Sequence, residues 1–129
     1  MPLKHVLLVD DSAIMRSMVR RLFESQPGFE VSGEAENGQE AIKKAASLKP
    51  DLIILDLAMP VMTGLDAAPV LRKMLPATLL ILFTVHESRE VAKLALAAGI
   101  HVVVPKDPGG GQTDYTGASI AGAMQGCLK

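Results

Sequence analysis

The sequence predicts an α/β domain in which a five-stranded parallel sheet is wound doubly, with helices covering both of its faces. Short apolar runs alternate with segments of helical period, which is typical of consecutive βα units. Hydrophobic residues make up 49% of the chain, as strands buried on both faces require. The 129 residues fit one domain, so residues 1–129 are predicted to form a single unit. The alternating pattern covers residues 4–106, and residues 107–129 add a glycine-rich loop and a last helix.

Two strands and two helices are predicted in the first part of the chain. His5–Val9 is a buried strand, and Phe29–Ala35, which is more polar, is predicted to lie at the sheet edge. Ser12 is a good N-cap for the first helix, which runs to about Ser25. Asn37 and Gly38 open the second helix, which Pro50 ends. The apolar positions predicted to face the core are Ile14, Met15, Met18, Val19, Phe23, Ala41, Ile42, Ala45 and Leu48.

The second part of the chain repeats the pattern. The predicted strands are Leu52–Leu55, Leu79–Phe83 and Val102–Val104. Leu65–Met74 is predicted to be a helix with a late start or a kink, because Pro69 cannot donate a backbone hydrogen bond. Arg89–Ala98 is a further helix, with Val91, Leu94, Ala95 and Ala98 on one stripe and Gly99 at its end. Residues 116–128 are predicted to form the last helix.

Composition and charge exclude several classes of function. The net charge of −1 provides no basic surface for nucleic acid or for a membrane, and aromatic residues, at 3%, are too few for base stacking. The single cysteine, Cys127, cannot form an internal disulfide, which favours a reducing compartment. No apolar run is long enough for a signal peptide or a membrane span, so a cytoplasmic protein is expected.

The conspicuous polar residues follow the ends of predicted strands. Asp10 and Asp11 follow the first strand, Asp56 the third, Thr84 the fourth, and Lys106 comes just after the fifth. Ligands of open α/β sheets bind outside the carboxyl ends of the strands. We therefore expect three carboxylates, a hydroxyl group and an ammonium group in one crevice.

This set of groups suits a divalent cation and a phosphoryl group. Three adjacent carboxylates repel one another unless a cation neutralises them, and oxygen ligands suit Mg²⁺, or Mn²⁺ in its place. A carboxylate such as Asp56 facing a metal-bound phosphoryl group is a competent nucleophile and would yield an aspartyl phosphate. Thr84 and Lys106 can supply the charge neutralisation on which phosphoryl transfer depends.

The motifs resemble those of the response-regulator receiver domains of bacterial two-component signalling systems. The resemblance covers about residues 4–106, with each motif in the expected order. It rests on Val9-Asp10-Asp11-Ser12, Asp56-Leu57-Ala58-Met59-Pro60 with Gly64, Thr84, Ala98-Gly99 and Lys106. The resemblance implies a flavodoxin-like sheet in the order 2-1-3-4-5.

The resemblance also implies a role for each site residue. Asp56 would be the phosphoacceptor, with Asp11 and the backbone carbonyl of Ala58 as further metal ligands and Asp10 acting mainly through a metal-bound water. Thr84 would hydrogen-bond the phosphoryl group, and Lys106 would form an ion pair with it.

The implied protein is a signalling phosphoacceptor rather than a turnover enzyme, although magnesium-dependent self-phosphorylation from small donors and self-dephosphorylation are expected. A sensor histidine kinase would supply the phosphoryl group in a phosphorelay, and an output domain or protein partner would receive the signal. Homodimerisation stays open, whereas neither membrane attachment nor direct nucleic-acid binding is expected.

Several positions depart from the family pattern. Val103 occupies the place usually held by a tyrosine or phenylalanine whose rotation reports phosphorylation. Val85 is bulkier than the usual alanine or glycine and could narrow the route to the phosphoryl group. His86 holds a position that tends to tune dephosphorylation in this family, although an ordinary exposed loop histidine is the favoured interpretation. Asp107 replaces the proline that commonly follows the lysine.

Two other functions compete with a phosphorylated receiver. A pseudo-receiver, an interaction module that takes up no phosphate, would account for Val85, Val103 and Asp107, but Asp11, Asp56, Thr84 and Lys106 are intact. A magnesium-dependent phosphohydrolase would need a second carboxylate two residues after its nucleophile, and Ala58 stands there.

Overall fold

The computed structural model describes residues 3–84 and 88–105, with Pro105 described only as part of a strand. Its five strands are β1 (Lys4–Val9), β2 (Phe29–Ala35), β3 (Leu52–Leu55), β4 (Leu79–Thr84) and β5 (Val102–Pro105). Its four helices are α1 (Ala13–Glu24), α2 (Gly38–Leu48), α3 (Gly64–Met74) and α4 (Arg89–Ala97). The last helix predicted over residues 116–128 lies outside the described residues.

The strands form one parallel sheet in the order β2-β1-β3-β4-β5. The predicted fold class and strand order are therefore confirmed, and β2 lies at the edge as expected. The order reverses between β1 and β3, so the carboxyl ends of these two strands flank the switch point at which open α/β sheets bind ligands. In the described part of the chain, no helix is long and apolar enough to cross a membrane.

Each central strand sends alternate side chains into two cores on opposite faces of the sheet. Leu7 and Val9 of β1 pack on one face with the small residues of α2 and α3, among them Ala41 and Ala67. The core on the other face, packed against α1, contains Val6, Leu8, Val19, Phe23, Phe29, Leu52, Ile54, Ile81, Phe83 and Val104. Because both faces are covered, the central strands β3 and β4 are apolar up to the ends where Asp56 and Thr84 lie.

Each described helix begins with a hydrogen-bonding N-cap side chain. The predicted N-cap Ser12 accepts a hydrogen bond from the Met15 N–H at 3.2 Å, and Asn37 accepts one from the Glu40 N–H at 2.8 Å. Thr63 and Ser88 cap α3 and α4 in the same way. These caps fix the point at which the chain leaves each loop and enters a helix.

Four predictions of buried apolar side chains are wrong. Ile14 is 76% exposed and Leu94 is 56% exposed, and Met18 and Leu48 are about 40% exposed. All four lie at the edge of their helix's apolar stripe. Val19, Phe23, Ala45 and Ala95 occupy the buried positions in the described structure, because the helical stripe that contacts the sheet is narrower than the run of apolar residues.

Of the late start or kink predicted for the third helix, the late start is wrong. Thr63 caps α3 so that it begins at Gly64 and includes Pro69. Pro69 is exposed, so the ring sits on the side of the helix away from the core. The fourth helix ends one residue earlier than predicted, with Ala98 as its C-cap and Gly99 following at φ 93°, in the left-handed region that glycine adopts readily.

His101, for which the sequence indicated no role, lies just before β5 and is hydrogen-bonded to β4. The Leu80 N–H donates to Nδ1 of His101 at 3.1 Å, and the His101 N–H donates to the Leu80 carbonyl at 2.9 Å. Burial of the ring and the positive charge of Arg72 lower the pKa of His101. The neutral ring is the form that can accept at Nδ1.

We expect His101 to make stability depend on pH. Because its folded-state pKa is depressed, the stabilising contribution is present above the ordinary histidine pKa and is lost as the pH falls through the folded-state value. His101→Asn keeps an acceptor near the Nδ1 position but does not titrate. Between pH 7.5 and 5 the melting temperature of this variant should therefore fall less than that of the wild-type protein. Melting curves of both proteins check this, and parallel losses would contradict the assignment.

Candidate functional site

Three carboxylates meet at the carboxyl edge of the sheet, as predicted. Asp10 and Asp11 follow β1, Asp56 follows β3, and one oxygen from each lies within 4.8 Å of the other two. Asp10 and Asp56 are both only 6% exposed, whereas Asp11 is exposed. The cluster therefore has two buried carboxylates and one that faces solvent.

Backbone hydrogen bonds fix the two buried aspartates. The Asp56 N–H donates to the Val9 carbonyl at 2.9 Å, which extends the β1–β3 pairing to the nucleophile candidate. The Asp10 N–H donates to the Ala35 carbonyl at 3.0 Å, and Oδ1 of Asp10 accepts from the Ser12 N–H at 2.9 Å. A hydrogen bond to β1 thus holds Asp56, and hydrogen bonds to β2 and to Ser12 at the start of α1 hold Asp10.

The remaining predicted site residues are only partly covered by the described structure. Thr84 is fully buried at the end of β4, and Ala58 lies exposed in the loop two residues after Asp56. Val103 is half-buried in β5 and packs against the core on the α2–α3 face. Val85, His86 and Lys106 lie outside the described residues, so their predicted roles stay predictions.

Gly64 packs directly on the main chain of Asp56. A methyl group at this position would lie 2.3 Å from the Asp56 carbonyl oxygen and 3.3 Å from Cδ1 of Leu82. The Gly64 N–H also donates to the Leu57 carbonyl at 3.2 Å. The glycine in the sequence motif is therefore required by close approach of two backbones rather than by an unusual φ angle.

The loop between Asp56 and α3 contains a tight turn. The Met62 N–H donates to the Pro60 carbonyl at 2.6 Å around Val61, whose φ is 67°, which is the i to i+2 bond of a γ-turn. A branched residue in the left-handed region costs about 1–3 kcal/mol. The Gly38 N–H donates to the Met62 carbonyl at 2.9 Å, so the start of α2 supports this strained loop from its other side.

A group of charged residues next to the site was missed by sequence reasoning. Arg16 of α1 donates from Nη1 to the Asp10 carbonyl at 2.6 Å and from Nε to Glu34 Oε1 at 2.8 Å. Arg20 donates to the other Glu34 oxygen from Nε at 2.8 Å. The signal available in the sequence was an arginine one turn after Ser12, but its partner Glu34 follows only from the β1–β2 pairing.

The donor set fits a hard divalent cation. Carboxylate oxygens from Asp10, Asp11 and Asp56 are close enough to share one ion, and magnesium is bound in proteins through a few carboxylates and retained waters. The buried pair Asp10 and Asp56 brings two acidic groups into a region with little solvent screening, where a cation offsets their mutual repulsion. The exposed side of the cluster, at Asp11, leaves access for ions and solutes.

Comparison with known proteins agrees with this site. A family model for the response regulator receiver domain matches residues 6–112. The chemotaxis protein CheY of Thermotoga maritima is 38% identical over 107 residues, which cover 81% of this chain and 88% of the relative. A protein-glutamate methylesterase/protein-glutamine glutaminase of Methanosarcina mazei is 42% identical over 102 residues, but these cover 78% of this chain and only 28% of that relative.

Solved structures give the same result. A two-component response regulator of the LuxR family from Aurantimonas sp. superposes with a TM-score of 0.87 at 30% identity, covering 98% of this chain and 85% of the other. The response regulator domain of Thermotoga maritima CheB has a TM-score of 0.81 at 34% identity, covering 98% and 93%. The family match, the strand order and the acidic cluster together show that this chain belongs to the response-regulator receiver domain family.

Proposed function

We propose that this receiver domain is switched by phosphorylation of Asp56 and that a divalent cation, Mg²⁺ or Mn²⁺, assists the transfer. The observation that carries the proposal is the meeting of Asp10, Asp11 and Asp56 at the switch point of the sheet, with Asp56 buried and held by a backbone hydrogen bond. Receiver domains bind Mg²⁺ at an acidic cluster of this kind. Asp11, Asp56 and the Ala58 carbonyl would hold the ion directly, with Asp10 one shell further out.

In the proposed reaction a carboxylate oxygen of Asp56 attacks the phosphorus atom of the donor. One O–P bond forms while the bond from phosphorus to the leaving group breaks: a P–N bond for a phosphohistidine, or a P–O bond for acetyl phosphate, which leaves as acetate. A bound cation would neutralise the negative charges of the carboxylates and of the phosphoryl group. The backbone hydrogen bond from Asp56 to Val9 and the close packing of Gly64 would hold the main chain of Asp56 in place during the transfer.

The residues at the ends of β4 and β5 complete the proposed site. The Thr84 hydroxyl would donate a hydrogen bond to the phosphoryl group, and Lys106 would form an ion pair with it. Burial of Thr84 supports the first role, since its side chain already lies inside the domain at the same edge as Asp56. Val85 and His86 would modulate access and dephosphorylation, and Val103 would carry less of the outgoing signal than an aromatic ring.

The proposed partners follow from the family. Receiver domains interact with histidine kinases and output domains. The relatives of this chain include protein-glutamate methylesterases, and the chain matches less than a third of the length of these proteins. We propose a sensor histidine kinase as the phosphoryl donor and the cytoplasm as the location of this receiver domain. The recipient of the signal would be a protein partner or a covalently attached output domain. The chain itself would be a phosphoacceptor that phosphorylates itself from small donors and dephosphorylates itself, rather than a turnover enzyme.

Incubation with acetyl phosphate tests the proposal. The wild-type protein is expected to gain one phosphoryl group in its intact mass when Mg²⁺ is present, and none when EDTA replaces the ion. Asp56→Asn should gain none under either condition, whereas Asp66→Asn, which removes an exposed carboxylate from α3, should behave as wild type. An unmodified wild-type mass after long incubation would favour a pseudo-receiver.

A further inference from the structure

Arg16 joins the end of β1 to the edge strand β2. Its guanidinium donates from Nη1 to the Asp10 carbonyl oxygen at 2.6 Å and from Nε to Glu34 Oε1 at 2.8 Å. The side chain is only 12% exposed, and it lines a narrow cavity together with Asp10 and Asp56. Arg16 therefore lies directly behind the acidic cluster but contacts Asp10 through the main chain.

Glu34 gives Arg16 a rigid anchor. Arg20 binds the second Glu34 oxygen from Nη2 at 2.7 Å, and Lys44 donates to the Glu34 carbonyl. Burial alone would raise the pKa of Glu34, but hydrogen bonds from Arg20 and Arg16, together with their charges, hold that pKa below its usual range. Glu34 is thus ionised at neutral pH, and both of its oxygens are engaged by arginines.

We infer that Arg16 is a positioning residue for the cation site, an inference that rests on the proposed function of the acidic cluster. The carbonyl that Arg16 binds belongs to the peptide unit joining Asp10 to Asp11. Holding this peptide plane sets the direction in which both carboxylates leave the main chain. Magnesium demands near-ideal octahedral geometry, so its affinity depends on how well this direction is fixed, and loss of an outer-shell contact typically weakens metal binding by about 10–100-fold.

The direction in which Mg²⁺ affinity changes when Arg16 is replaced distinguishes a positioning role from a purely electrostatic one. A positive charge close to a cation site repels the cation, so removing the charge of Arg16 would by itself tighten Mg²⁺ binding. Removing its hydrogen bonds would loosen the Asp10–Asp11 peptide and weaken Mg²⁺ binding. Glu34 balances part of the Arg16 charge, which leaves the hydrogen bonds as the larger contribution.

Calorimetric titration with MgCl₂ alone tests the inference. Arg16→Gln is expected to weaken Mg²⁺ binding by about tenfold, and Arg16→Lys, which keeps the charge but not the two-pronged donor, should fall between that variant and wild type. Arg21→Gln is the matched control: it removes the same charge from an exposed position of α1 and should bind as wild type. Glu34→Gln added to Arg16→Gln should weaken binding little further, because Glu34 affects the site by holding Arg16.

The outcomes are distinct. Equal or tighter Mg²⁺ binding by folded Arg16→Gln, with wild type binding normally, overturns the positioning role but not the proposed function. Absence of Mg²⁺ binding by wild type overturns the cation site itself. Melting curves in EDTA show whether each variant is folded. If Arg16→Gln does not fold, Arg16→Lys decides, and wild-type affinity in that protein contradicts the inference.

Discussion

Replacing Gly64 with alanine is expected to destabilise the domain by about 3 kcal/mol, the upper part of the range for overpacking. The new methyl group would stand 2.3 Å from the Asp56 carbonyl oxygen, a distance that non-bonded atoms do not sustain. Since the obstacle is backbone, no side chain can swing aside, and either α3 or the Asp56 main chain must shift. For a domain of this size we expect the melting temperature to fall by about 10 °C.

Gly33→Ala is the matched control for this experiment. A methyl group at Gly33 would lie 2.8 Å from Cδ1 of Leu48, but Leu48 is 40% exposed and its flexible end can move. We expect a cost below about 1 kcal/mol, since alanine also relieves the entropic cost of glycine in a strand. Melting curves of the three proteins decide the matter, and equal stability of Gly64→Ala and wild type would show that the close approach is not required.

Magnesium is expected to raise the melting temperature of the wild-type protein, because the ion binds the folded acidic cluster and not the unfolded chain. At a hundredfold excess over its dissociation constant, a ligand adds about 2.7 kcal/mol to the stability. Asp56→Asn removes one carboxylate from the cluster of three, so most of this gain should disappear. In EDTA the same variant should be at least as stable as wild type, since the mutual repulsion of the carboxylates is reduced.

Two controls isolate the cation site in this experiment. Asp66→Asn makes the same chemical change at an exposed position outside the cluster, and its response to magnesium should match that of wild type. Sodium chloride at equal ionic strength should leave all three proteins nearly unchanged, because screening alone does not fill a site. If magnesium stabilises Asp56→Asn as much as wild type, the ion binds elsewhere.

The sequence was sufficient for the strands and for the acidic edge of the sheet. Buried parallel strands appear as short apolar runs, and the aspartates that follow Val9 and Leu55 come together because parallel strands end at the same edge. The order of the strands came from the family resemblance and is confirmed. Apolar periodicity alone does not determine the order in which parallel strands lie across the sheet.

The sequence was less informative about helix faces. Ile14 and Val19 belong to one apolar stripe in the sequence, yet only Val19 is buried. The contact between a helix and a flat sheet covers a limited arc, so apolar residues at the margin of the stripe remain exposed. The start of α3 was missed for a different reason: the Thr63 cap and the contact of Gly64 with Asp56 outweigh the effect of Pro69, which falls on an exposed part of the helix.

The support for the site was also hidden from the sequence. Arg16 and Glu34 are 18 residues apart, with the rest of α1 and the following turn between them, and they meet only because β2 pairs with β1. An arginine on a helix and a glutamate in an edge strand are each more commonly solvated surface residues. Their role becomes visible once the distances from Arg16 to the Asp10 carbonyl and to Glu34 are known.

Chemical mapping of the phosphorylated residue tests the central claim most directly. Borohydride reduces an acyl phosphate to an alcohol, so an aspartyl phosphate becomes homoserine, which tandem mass spectrometry locates in the digested protein. After incubation with acetyl phosphate and magnesium, we expect homoserine at position 56, at none of the other aspartates, and only when the ion was present. Conversion at Asp10 or Asp11 with Asp56 intact, or no conversion at all, would contradict the assignment of Asp56 as the phosphoacceptor.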